Sequence, residues 1–243
     1  MKALRIIAFA AAAVAVLLLA ASGPGTKWDL WSYRTGLALL RWAAYLGLAA
    51  ALLSALVLAL PRARRPGVVA PGLALVAGLV AFYLPYQFQQ QARAVPAIND
   101  ITTDTVEPPQ FLTSPRPYPS EFARVQRGAY PGLGSLVLAV APDEAFRRAL
   151  AAAEAMGWEV VGQDPASGRL EAVATTPWFG FKDDVVVRVR PARGGSRLDV
   201  RSRSRVGRGD VGTNARRIRA YLERLQAFGG TLAAVEGPRK DSP

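Results

Sequence analysis

Residues 183–206, DDVVVRVRPARGGSRLDVRSRSRV, set the architecture of the C-terminal half of this chain. In the first part Val185, Val187 and Val189 alternate with Arg188 and Arg190. In the second, Leu198, Val200, Ser202, Ser204 and Val206 alternate with Arg197, Asp199, Arg201, Arg203 and Arg205. Successive side chains of a strand point to opposite faces, so each run has one apolar or small face and one charged face. The glycines of ARGGS (192–196) lie between the runs and predict a β-hairpin. Upstream, WEVVGQD (158–164) and RLEAVATT (169–176) flank PASG, a second hairpin, and SLVLAV (135–140) reads as a further short strand. Pro142 opens a helix with Asp143 and Glu144 in its first turn, where the helix dipole favours acids. Phe146, Ala149, Leu150, Ala153 and Met156 then recur at helical spacing, and Gly157 can end it. Residues 214–228 predict a last helix, with Ala215, Ile218, Tyr221, Leu222, Leu225 and Phe228 on one face and Gly229 after it. The order strand, helix, four strands, helix predicts an α+β domain over 135–230: an antiparallel sheet with two helices on one face, followed by a tail, 231–243.

The other half has a different solvent. Residues 6–22, 42–60 and 67–87 are uncharged apolar runs, each close to the ~30 Å that crosses a bilayer at about 1.5 Å per helical residue. Residues 1–91 therefore read as three N-terminal transmembrane helices. Lys2 and Arg5 precede the first run, and Arg62, Arg64 and Arg65 fill the link between the second and third. Basic residues stay on the cytoplasmic side, which orients the N-terminus inward and residues beyond 91 outward. A cleaved signal peptide is an alternative reading of the first run, and it leaves that orientation unchanged. Residues 92–134, with Pro at 96, 108, 109, 115, 117, 119 and 131, read as an extended arm.

Composition removes much chemistry. The 243 residues include no Cys and no His, so thiolate nucleophiles, imidazole bases and the usual zinc sites are excluded. The net charge of +12 invites a nucleic-acid reading, but residues 1–96 hold nine Lys or Arg against Asp29 alone, a net of +8. Most of the excess thus belongs to the apolar half. No nucleic-acid partner and no cofactor are expected.

The segments INDITTDTVEPPQF (98–111), MGWEVVGQDPASGRLEAVATT (156–176), FGFKDDVVVRVR (179–190) and DVRSRSRVGRGDVGTNARRIRAYLERL (199–225) resemble the domain-of-unknown-function 1499 family. The chain is similar to its membrane-anchored bacterial form. The resemblance implies an envelope or organelle-membrane module and brings no activity, cofactor or catalytic residue. The family often has His where Asn99 stands here.

The first candidate site is the charged face of the two strands, Arg188, Arg190, Arg201, Arg203 and Arg205. Like charges gathered on one sheet face repel unless acids or an anionic ligand lie among them. One reading is a face laced with Arg–carboxylate pairs, with Asp100, Asp104, Glu171, Asp183, Asp184, Asp199 and Asp210 available. The other is an anion site. The turn GRGDVG (207–212) matches the spacing of a dinucleotide fingerprint, but the parallel strand that fingerprint needs does not follow. Arg216 and Arg217 occupy the first turn of the last helix, where the dipole disfavours cations. Asp210 can offset them, or an anion can bind there with Gly207, Gly209, Asn214 and Arg217. Asp100 and Asp104 also suit a hard cation or an acid/base pair, although Asp and Thr are ordinary turn formers. Trp178, Phe179 and Phe181, between two strands, read as packing under a hairpin, with contact to the bilayer or a pocket as the alternative.

Together these features predict a protein of the inner (cytoplasmic) membrane whose C-terminal domain is periplasmic or extracellular. That domain reads as a non-catalytic binding or scaffolding module. Its expected partner, besides the membrane, is anionic: a lipid, an envelope polymer or an acidic protein surface. The alternative is a carboxylate-dependent envelope hydrolase, since two carboxylates suffice for glycoside hydrolysis.

Overall fold

The computed structural model describes residues 2–65 and 67–228; the tail 231–243, the expected closing Gly229 and the side chain of Phe228 lie outside the described residues. The chain divides into two compact units. One runs to Gln91 and includes Thr176–Gly180; the other takes Ala92 to Thr175 and continues from Phe181.

The first unit holds α1 (Lys2–Lys27), α2 (Tyr33–Ala59), the single turn α3 (Pro61–Arg64) and α4 (Val69–Ala94), whose last turn passes into the second unit. α1, α2 and α4 are each long and apolar enough to cross a membrane. They overrun the three apolar runs because the flanking polar residues, such as QFQQQARA at the end of α4, also favour helix. Small residues face inward and large apolar ones outward: Ala12, Ala50 and Ala74 cluster together, whereas Ile6, Leu17, Leu52 and Leu79 are exposed. That inversion suits lipid, where helices approach through small residues. A Cβ on Gly47 would lie 2.7 Å from the Gly78 carbonyl, and one on Gly78 would lie 2.9 Å from Ala51 N. The Arg5 guanidinium donates to Gly67 O at 3.0 Å, which joins the two basic segments at one end. Trp178 and Phe179 also belong to this unit: Trp178 fills the space beside Gly23, and Phe179 lies 3.2 Å from where a Gly36 Cβ would stand. They therefore pack on helix ends rather than beneath a hairpin.

The second unit holds β1 (Asp100–Thr102), α5 (Ser120–Ala129), β2 (Leu136–Leu138), α6 (Pro142–Ala155), β3 (Glu159–Asp164), β4 (Arg169–Thr175), β5 (Lys182–Ala192), β6 (Gly195–Ser204) and α7 (Thr213–Phe228). The sheet is antiparallel, in the order β1-β6-β5-β4-β3, with β2 also on β6. β1 pairs with the Arg201 end of β6 and β2 with the Leu198 end, so they share one edge. The alternation places Val185, Val187, Val189, Leu198 and Val200 in one core with Phe146 and Ala149 of α6 and Ile218, Tyr221 and Leu225 of α7. Tyr221 stacks on Trp158 at 4.9 Å and donates its hydroxyl to Ala149 O at 2.7 Å, so its one polar atom is satisfied inside the core.

Residues 92–134 are more regular than a wholly extended arm. α4 continues to Ala94, β1 pairs with β6, and α5 occupies the proline-free window between Pro119 and Pro131. Pro119 stands at the N-cap of α5, where its missing N–H costs nothing. The arm itself is therefore the stretch 103–119.

Candidate functional site

The charged face of β5 and β6 lies under a cover made by residues 103–119. Antiparallel register sets Arg190 directly opposite Arg197, and Arg169 opposite Arg188, pairs that repel in isolation. The cover supplies the missing acid. Asp104 Oδ2 accepts from Arg188 Nη2 at 3.1 Å and Arg197 Nη2 at 2.9 Å, and lies 3.5 Å from Arg190 Nη2. Asp199, fully buried, accepts from Arg188 at 3.0 Å and from the Ser135 hydroxyl at 2.5 Å. Glu107 accepts from Arg190, and that hydrogen bond holds its carboxyl below the usual carboxylate range. Arg188 Nε is buried without a partner among the described residues.

Arg201 is the largest fully buried side chain among the described residues. Its Nε donates to Asp100 Oδ1 at 2.9 Å, Nη1 to the carbonyls of Pro109 (3.2 Å) and Arg116 (3.1 Å), and Nη2 to Asp100 Oδ2 (2.8 Å) and the Pro117 carbonyl (3.2 Å). A guanidinium has five N–H donors, and all are used. The rings of Phe111 and Tyr118 lie 4.9 and 5.5 Å from its central carbon. Prolines suit this cover: they cannot donate, but Pro109 and Pro117 offer carbonyls to the cation. Glu171 binds the next stretch by accepting from the backbone of Leu112 and Thr113.

Beyond the cover the pairing thins. Arg203 Nε is 3.8 Å from Asp100 Oδ2, a carboxylate already committed to Arg201, and its side chain is 28% exposed. Arg205 shares Asp184 with Arg116, at 2.7 and 2.9 Å, and is 44% exposed. The following turn rests on the chain between α4 and β1. Asn99 Nδ2 donates to Gly207 O at 2.7 Å, Ser204 N donates to Asn99 O at 2.9 Å, and a Cβ on Gly209 would lie 3.1 Å from Ala97 Cα. Gly207, with φ +87°, supplies the left-handed turn and Gly209 the close approach.

On the helix-covered face, Asp210 caps α7 from within. Its carboxylate accepts from Gly212 N at 2.8 Å and Asn214 N at 2.7 Å. Burial lifts its carboxyl above the ordinary range, although both N–H bonds pull the other way. Asn214 is fully buried and donates to Asn99 O (3.1 Å) and Ser204 Oγ (3.0 Å), while Arg217 pairs with Asp183 and donates to Ser202 Oγ at 3.1 Å. Val211 has φ +56°, an uncommon value for a β-branched residue, within the loop that Asp210 holds.

The nine candidate residues thus fall into separate groups. Arg188 and Arg190 lie in the Asp104–Asp199 cluster, Arg201 is alone under the arm, and Arg203 and Arg205 adjoin the turn of Gly207 and Gly209. Asn214 and Arg217 sit on the opposite face. Asp100 and Asp104 serve arginines, and the described residues include no cluster of three or more metal-ligating side chains. Glu107, Arg116, Ser135 and Gln126 complete the polar layer without a local motif to single them out; Gln126 accepts from Thr102 N at 2.9 Å and donates back to Thr102 O at 2.6 Å.

The family model described as Protein of unknown function (DUF1499) matches residues 100–225. That span takes in β1, the cover, the whole sheet and most of α7. No curated protein matches the chain.

Proposed function

Because this chain belongs to the family Protein of unknown function (DUF1499), and that membership carries no activity, we propose from its residues that it is a membrane-anchored, non-catalytic binding module. It takes an anionic group at the end of β6. The supporting observation is the uneven neutralisation of the arginine face: Arg201 has no donor left, whereas Arg203 and Arg205 share carboxylates with other arginines and remain partly exposed. Unspent donors beside a turn are what an anion needs. The other arginines act as the scaffold that holds residues 103–119 on the sheet.

The helices give this module its anchor. The N-terminus is cytoplasmic and the α+β domain lies on the periplasmic or extracellular side, as the placement of Lys2, Arg5 and the 62–65 cluster supports. α1 stays attached, since its Ala12 packs with Ala50 and Ala74 rather than standing alone.

Native mass spectrometry of the full chain, released from detergent, tests the reading. An anionic species is retained by the wild type and lost from an Arg203→Gln/Arg205→Gln variant of unchanged thermal midpoint. Equal apo masses for both would overturn it.

A further inference from the structure

We infer that the anion is the phosphate of an anionic phospholipid headgroup, one with net negative charge, taken from the leaflet that α4 leaves by Lys182, Arg203, Arg205 and Arg208. This rests on the anion-binding reading above and names its ligand.

Three observations carry it. First, the turn is bound to the tether. Residues 95–99 alone separate α4 from β1, so at no more than about 3.5 Å per residue the start of β1 stays within roughly 20 Å of the helix end. Ile98 N donates to Pro96 O at 2.9 Å, a turn that shortens this reach. Asn99 and Ala97 hold Gly207 and Gly209 against the same tether. Chain length therefore ties the cations on this turn to the end of α4, which continues about 10 Å past its apolar run.

Second, the charge exposed here is mainly positive. Arg208 and Lys182 are exposed and make no ion pair among the described residues. Arg205 N donates to Lys182 O at 3.1 Å, which brings the two strand ends together. The neighbouring acids Asp100, Asp183 and Asp184 are each about 2% exposed or less. Glu159, exposed at the start of β3, and the buried Glu171 also act on Arg205.

Third, the site is open. Residues 205–209 are all exposed, and Val206 adds an apolar group at 39% exposure. An open cationic turn holds a dissolved phosphate poorly, because water competes for every donor. A leaflet presents phosphates at high local density, and the tether fixes that density at the turn. A soluble polymer or an acidic protein has no such advantage. Each Lys or Arg near an anionic surface strengthens attachment by about fivefold, so removing two should weaken it by roughly 25-fold.

The test uses the full chain in lipid nanodiscs, read by hydrogen–deuterium exchange of the amides of residues 205–209. In discs containing phosphatidylglycerol, exchange should be several-fold slower than in phosphatidylcholine discs. The protection should vanish at about 1 M salt, where the Debye length is roughly 3 Å. It should also vanish in a Lys182→Gln/Arg208→Gln variant, whose replaced side chains make no hydrogen bond or ion pair among the described residues. Equal exchange in the two kinds of disc overturns the lipid assignment. If inorganic phosphate added to phosphatidylcholine discs then slows exchange, the anion site stands with a soluble ligand. If it does not, both readings fall.

Discussion

Arg201 and Asp100 form a buried pair whose two partners must be kept or removed together. Replacing Arg201 by Gln leaves the Asp100 carboxyl nearly inaccessible and short of its donors. Loss of one partner of such a pair costs about 3–5 kcal/mol, so Arg201→Gln should lower the urea midpoint sharply, whereas Arg203→Gln should leave it almost unchanged. Val211 and Asp210 offer gentler tests. Val211→Gly should raise stability by about 1 kcal/mol through relief of its positive φ, read as a rise in thermal midpoint. Asp210 has a folded-state pKa above its unfolded value, so its contribution is fully present below the ordinary carboxylate range and is lost as pH rises through the lifted value. Asp210→Asn keeps a capping acceptor and should flatten that pH dependence in denaturation series; Asp210→Ala should lose the cap, about 1 kcal/mol.

Among the elements, the crossing of α2 and α4 depends on the absence of side chains at Gly47 and Gly78. Gly47→Val or Gly78→Val should lower the thermal midpoint in detergent, while Gly72→Val, at a position with open space around it, should not. The same scale shows what a sequence can disclose. β3 to β6 were legible because period-two alternation and glycine turns are local signals, and α6 and α7 because an apolar stripe at helical spacing is local too. The cover was not. Asp100 meets Arg201 across 101 residues and Asp104 meets Arg188 across 84, and no neighbouring pattern reports such a meeting. That acids should lie among the arginines followed from electrostatics; which acids, and that a proline-rich stretch would carry them, needed the fold. α5 was hidden for a simpler reason: prolines on both sides of it dominated the composition of the window. The turn after β6 was partly legible, as glycines between a strand and a helix, but their use in packing on Ala97 and Asn99 was not.

For the whole molecule, the expectation is an N-terminus inside and a C-terminal domain outside. Alkaline phosphatase fused after the last residue should be active and a cytoplasm-dependent reporter silent; the reverse pattern would overturn the orientation. The long separation between the cover and its sheet also dictates an order of assembly. Residues 100–119 leave the ribosome about a hundred residues ahead of the strand that receives Asp100. At about 5–20 residues per second they wait some 5–20 s for it. Hairpins β3–β4 and β5–β6 close over short loops as they emerge, while the cover pays a long loop-closure entropy and docks after them. The first part of the domain to be made therefore waits for one of the last strands, and the Arg201 side chain is buried only once the two have met.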